Sequence, residues 1–120
     1  MPVRAVRGAT QLDADDREHL HERTGELVRA VLAENGVGTD ALISVFFTCT
    51  PDLTSDFPAA AARRLGLGDV PLMCAVEVDV PGALPRVVRL MAHAELEVPR
   101  AEVRHVYLHG ARALRRDIAQ

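Results

Sequence analysis

A chain of 120 residues with 48% hydrophobic content has the length of one domain and apolar material for one core, which at 3% aromatic content is built from Ala, Val, Leu and Ile. The formal net charge of -3 argues against nucleic acid, for which a basic domain with clustered charge is expected. All 14 residues counted as Lys plus Arg are Arg, which excludes a lysine Schiff base, a pyridoxal phosphate anchor and a P-loop lysine.

In chain order, residues 2–7 alternate loosely and predict a short first strand ended by Gly8. Asp13, Asp15, Asp16 and Glu18 then crowd a helix start, where negative charge meets the positive end of the dipole. Leu20, Leu27, Val28, Val31 and Leu32 recur at helical spacing, and Asn35-Gly36 is a C-terminal stop, so residues 15–34 are expected to be a helix. Residues 41–49 are a continuous apolar, β-branched run and predict a buried strand. A loop over 53–57 follows, then a helix over 59–65 with Pro58 in its first turn and Gly66 as its stop. Strands are expected over 70–78, 87–94 and 103–108, with a turn at Pro81-Gly82 and an Arg-rich tail of no clear period after Gly110.

This order, βαβαββ, predicts one α+β domain over residues 1–120, with a mixed β-sheet and the helices packed on one face. Strands this apolar call for cover on both faces, and two helices cover one, so the other face is expected to meet another subunit. The N-terminus carries Arg4 and Arg7 with no long apolar run behind them, unlike a secretory leader. The longest apolar stretch, 41–47, is interrupted by Ser44 and too short to span a bilayer. Cys49 and Cys74 share no metal or redox spacing and read as free thiols of a cytoplasmic protein.

The chemistry narrows by elimination. Neither Ser44 nor Ser55 sits in a GxSxG pattern, and no GxGxxG or Walker A motif occurs. His19 and His21 lie two apart on a helix and point to different sides, a poor basis for a metal site. What remains near strand ends is arginine, acid and one tyrosine: Arg7, Glu77, Arg89, Tyr107 and, after the 53–57 loop, Arg63. A fixed guanidinium suits a small anion, because it grips a carboxylate with two hydrogen bonds. Each of these residues alone is compatible with a surface salt bridge. Arg17, Arg23 and Arg29 on the first helix read as solvated surface.

Taken together, six segments resemble the AroH-type monofunctional chorismate mutases, the small trimeric class. They are Val3 to Thr10 (VRAVRGAT), Thr50 to Ala59 (TPDLTSDFPA), Val70 to Cys74 with Glu77, Pro81 to Arg89 (PGALPRVVR), Val103 to Leu108 (VRHVYL) and Leu114 to Asp117 (LRRD). They occur in the family's order, with its spacing, from about Arg4 to Asp117. The resemblance implies a homotrimer whose sheets meet in a pseudo-α/β-barrel, with active sites between adjacent subunits. It also implies rearrangement of chorismate to prephenate in phenylalanine and tyrosine biosynthesis, with no cofactor, no metal, and no membrane or nucleic-acid partner.

By the same resemblance, Arg89 meets the breaking ether bond and a carboxylate, Arg7 binds the side-chain carboxylate, and Glu77 accepts from the ring hydroxyl. Cys74 lies at the hydroxyl end, and Tyr107 hydrogen-bonds a carboxylate. Phe57, Ala59, Leu72 and Met73 shape the wall, Leu114 packs nearby, and Arg63 and Arg115 draw in the anion. Ala60 departs from the Lys often found after the F-P-A tripeptide, which leaves Arg63 or Arg64 to compensate, and Arg116 replaces a usual Pro. Two other readings are a trimeric module that senses an anionic metabolite without catalysis, and an imine deaminase of the YjgF type. Glu77 and the His105 to Leu108 segment favour the mutase.

Overall fold

The computed structural model describes residues 2–114. Its strands are β1 (Val3–Gln11), β2 (Leu42–Cys49), β3 (Leu72–Val76), β4 (Val87–Glu95) and β5 (Val106–Leu108), and its helices are α1 (Arg17–Asn35) and α2 (Pro58–Arg64). Short 3-10 turns occupy Thr39–Ala41, Arg100–Glu102 and His109–Ala113. Among the described residues the strands form one mixed sheet in the order β3-β2-β4-β1-β5. β4 runs antiparallel to β1 and β2, while β5 is parallel to β1 and β3 parallel to β2. The α+β class and the βαβαββ order expected from the sequence are those observed.

Local chemistry explains the main elements. Asp16 caps α1 by accepting from the His19 N–H at 2.9 Å. Gly36 ends it in the left-handed conformation, φ 61°, returning its N–H to the last turn. Pro58 opens α2 at a position that needs no N–H donor.

One face of the sheet is the core. Val6, Val45, Phe47, Val88, Leu90 and Ala92 pack there against Leu20, Leu27, Val28 and Val31 of α1 and Ala59 and Ala62 of α2. Gly8 lies on this face, and a Cβ there would come within 3.1 Å of both Leu27 and Val31. The strand therefore runs on to Gln11 rather than stopping at Gly8, because glycine here admits the helix instead of ending the strand. Arg7 consequently lies inside β1 and not at its end.

The buried strand expected over 41–49 is covered on one side only. Val45 and Phe47 are buried, whereas Phe46 between them is 43% exposed. The last strand is shorter than the sequence implies, because 100–102 form a 3-10 turn and pairing with β1 begins at Val106. β3 is trimmed at both ends, to Leu72–Val76. Of the Arg-rich tail expected after Gly110, residues 111–113 belong to the 3-10 turn His109–Ala113, and residues 115–120 lie outside the described residues.

Candidate active site

Strand parity assembles the site. The side chains that alternate with the core residues point to the sheet face that neither α1 nor α2 covers. Register places Ala75, Thr48, Arg89, Ala9 and Tyr107 in one row across all five strands of that face. The next row holds Met73, Phe46, Met91 and Arg7. Arg7 and Arg89 are thus diagonal neighbours on adjacent strands, with backbones about 7–8 Å apart.

Glu77 follows β3 and keeps its phase, with its N–H donating to the Cys49 carbonyl at 2.9 Å. Its Oε2 lies 3.5 Å from Arg89 Nε and also accepts the Thr48 hydroxyl. Arg89 Nε is itself buried and meets this carboxylate at ion-pair rather than hydrogen-bond range. The Arg89 side chain as a whole is still reachable from solvent, at 43% exposure.

Two supports escape a reading by spacing alone. His105 Nδ1 accepts the backbone N–H of Arg7 at 2.9 Å, tying the approach to β5 to the strand that carries the arginine. Tyr107, Ala9 and Ala111 are buried together with Leu114 against them, forming a second apolar cluster on the face with the arginines. His105 sits in the quoted VRHVYL segment, but nothing local reveals that its partner is 98 residues away.

The other expected site residues lie elsewhere. Phe57, the N-cap residue of α2, is 66% exposed, Ala59 is buried in the core, and Arg63 is exposed in the last turn of α2. Leu72 and Cys74 pack towards the core, on the opposite sheet face from Glu77, because they alternate with Met73 and Ala75. Met73 shares the open face and is 61% exposed. Within one chain, then, the sheet separates Arg7, Glu77, Arg89 and Tyr107 from the α2 residues and from Leu72 and Cys74. Arg115 lies outside the described residues.

Carboxylates hold the loop that leads to Phe57. Desolvation pushes the Asp15 carboxyl up, but hydrogen bonds from Ser55 and Thr54 outweigh it and hold it below its ordinary value. The His21 imidazole, 2.7 Å from Asp56 and buried, holds that carboxyl low, with help from the Phe57 N–H and Arg17. His19 accepts from the Asp13 N–H at 2.9 Å, so both helix histidines brace this end of the fold. Arg23 departs from the solvated surface expected of it. Its side chain is 14% exposed and donates to the Gln11 carbonyl and to Asp13.

Known proteins share this sequence and fold. The profile of the family described as chorismate mutase type I matches residues 3–118. The chain is 48% identical over 117 residues to chorismate mutase AroH of Thermus thermophilus, spanning 97% of this chain and 96% of that one. It is 36% identical over 120 residues to chorismate mutase AroH of Bacillus subtilis (strain 168), spanning 99% and 94%. A solved structure of chorismate mutase from Clostridium thermocellum superposes with a TM-score of 0.89 at 38% identity, covering 91% of this chain and 97% of that one.

Proposed function

This chain belongs to the chorismate mutase type I family and has the activity of a chorismate mutase, and from that membership we propose that the open sheet face binds chorismate in a cleft completed by a second copy of the chain. The observation that carries this reading is the row on that face, where Arg89 lies between Thr48 and Ala9 with Glu77 against it and Arg7 on the diagonal. Two arginines on one open face suit a substrate with two carboxylates.

The rearrangement is unimolecular. One C–O bond breaks as one C–C bond forms, so the protein's tasks are to fold the enolpyruvyl arm over the ring and to stabilise charge growing on the ether oxygen. Arg89 donates to that oxygen, and because its charge is permanent and its strand rigid, little reorganisation is left for the barrier. Arg7 holds the side-chain carboxylate, Glu77 accepts from the ring hydroxyl, and Tyr107 donates to a carboxylate beside Leu114. Phe57 and Arg63 of a neighbouring copy form the opposite wall, backed by Ala59, while Met73 lines the cleft from the same face as Arg7 and Leu72 and Cys74 support that strand from the core side. Arg64 is drawn to Glu18, 3.6 Å away, which leaves Arg63 to supply the charge that Ala60 lacks.

Three copies close the pseudo-α/β-barrel and cover Phe46, Met73 and Met91, whose apolar side chains otherwise face solvent. The enzyme works in the cytoplasm, and its prephenate serves phenylalanine and tyrosine synthesis. Among the described residues no helix is long and apolar enough to cross a membrane.

The test is to add chorismate, follow the loss of its ultraviolet absorbance and the appearance of prephenate, and repeat with Arg89→Ala. Wild-type turnover with loss in the variant supports the assignment. Undiminished turnover in a folded Arg89→Ala protein overturns it. A single-chain mass by light scattering at micromolar concentration overturns the shared cleft.

A further inference from the structure

Thr48 has no part in the roles assigned above, yet it is wired into their centre. It faces Arg89 directly across β2 and β4, on the open face, and its hydroxyl donates to the same Glu77 oxygen that lies 3.5 Å from Arg89 Nε. We propose that Thr48 is a positioning residue, which holds the Glu77 carboxylate beside Nε and so keeps it from closing onto the outer fork of Arg89.

The reasoning is one of competing geometries. A glutamate next to an arginine relaxes towards the two-pronged ion pair, in which both carboxylate oxygens take guanidinium N–H groups. That pairing would occupy the donors the substrate needs and leave the ring hydroxyl without an acceptor. A third anchor prevents it. With one oxygen fixed by the Thr48 hydroxyl, the carboxylate cannot turn to present both oxygens to the Nη groups, and its other oxygen is left for a ligand. Glu77 follows the last residue of an edge strand, so its backbone alone constrains it weakly, and a long side chain there has rotamer freedom to lose. The hydroxyl removes that freedom before substrate arrives.

This inference rests on the roles proposed for Glu77 and Arg89, and the experiment separates the two. Thr48→Val keeps the shape and removes the donor, Thr48→Ser keeps the donor, and Glu77→Gln tests the site itself. All are assayed with chorismate under saturating and limiting conditions. The expected result is a fall in kcat of about ten- to a hundredfold in Thr48→Val, with KM changed much less and activity restored in Thr48→Ser. In a Glu77→Gln background, Thr48→Val should then cost little more, because the group it positions is already altered. Should Thr48→Val fail to fold, Thr48→Ala is read in the same way.

If Glu77→Gln lowers kcat while Thr48→Val leaves it unchanged, the positioning role is wrong and the site stands. If Thr48→Ser is as impaired as Thr48→Val, the effect is packing and the proposal is overturned. Full activity in Glu77→Gln overturns the role of Glu77 and this inference with it.

Discussion

The two faces of the sheet are made from the same strands, yet they differ in what they present and in what covers them. On the covered face Phe47, Val88 and Leu90 are buried against α1 and α2. One residue along, on the open face, Phe46 and Met91 remain exposed beside Arg7 and Arg89. A shift of one position in a strand exchanges these fates entirely. The covered face therefore carries the core of the chain, and the open face is the one to which we assign, as a proposal, its chemistry and its association.

The sharpest way to break that division is to truncate one residue on each side. Arg89→Ala should lower kcat by about a thousandfold, close to 4 kcal/mol on the barrier, while leaving the melting temperature nearly unchanged. Arg89→Lys should be severely impaired as well, since a point charge does not replace the planar fork. Phe47→Ala should behave in the reverse sense, costing about 3–5 kcal/mol in urea unfolding through the cavity it leaves. A catalytic loss without unfolding at Phe47, or unfolding at Arg89, would erase the distinction between the faces.

Phe46→Asp sharpens it further. This substitution should leave the fold of the single chain intact by circular dichroism but release it from the proposed assembly, read as a drop in mass by light scattering. A folded variant that keeps the parent mass would show that another surface joins the copies.

Smaller effects concern the loop that leads to Phe57. Asp15 and Asp56 both have carboxyls held below the ordinary value in the folded chain. The folded state then binds fewer protons than the unfolded one, so their contribution is whole above about pH 4 and disappears as the pH falls through the depressed folded values. Asp56→Asn should cost about 1 kcal/mol near neutrality and flatten the fall in stability below about pH 4. An acid profile identical to that of the parent protein would refute the anchoring role. The smallest effect expected is none: with no group changing protonation in the chemical step, kcat should stay level around neutrality. A bell-shaped profile centred near pH 7 would point to general acid–base work.

Much of this was readable in the residues, and the exceptions have physical causes. The first helix declared itself through its stripe of Leu and Val and through its acidic start and Gly36 stop. β1 runs past Gly8: glycine has two meanings in a sequence, a break or a close approach, and only the packing of Leu27 and Val31 decides between them. β2 reads as apolar throughout, so its alternation between core and open surface is invisible until α1 and α2 are placed. Arg7, Arg89, Glu77 and Tyr107 are legible as charged or polar groups near expected strand ends, but their roles come only from the family resemblance. Thr48 and His105 are not, because the partners that give them meaning lie 29 and 98 residues away.

The parallel pairing of β1 with β5 also sets a timetable. Gly8, Ala9 and Thr10 meet Val106, Tyr107 and Leu108, so this contact spans most of the chain and closes one of the longest loops available to it. A nascent polypeptide on the ribosome can build α1, and later the β1-β4-β2 portion of the sheet, well before β5 has been synthesised. Until then β1 keeps a bare edge, and the Arg7 amide lacks its imidazole acceptor. Completion of the sheet is thus deferred until β5 has been made, and this short strand acts as the latch on the β1 edge.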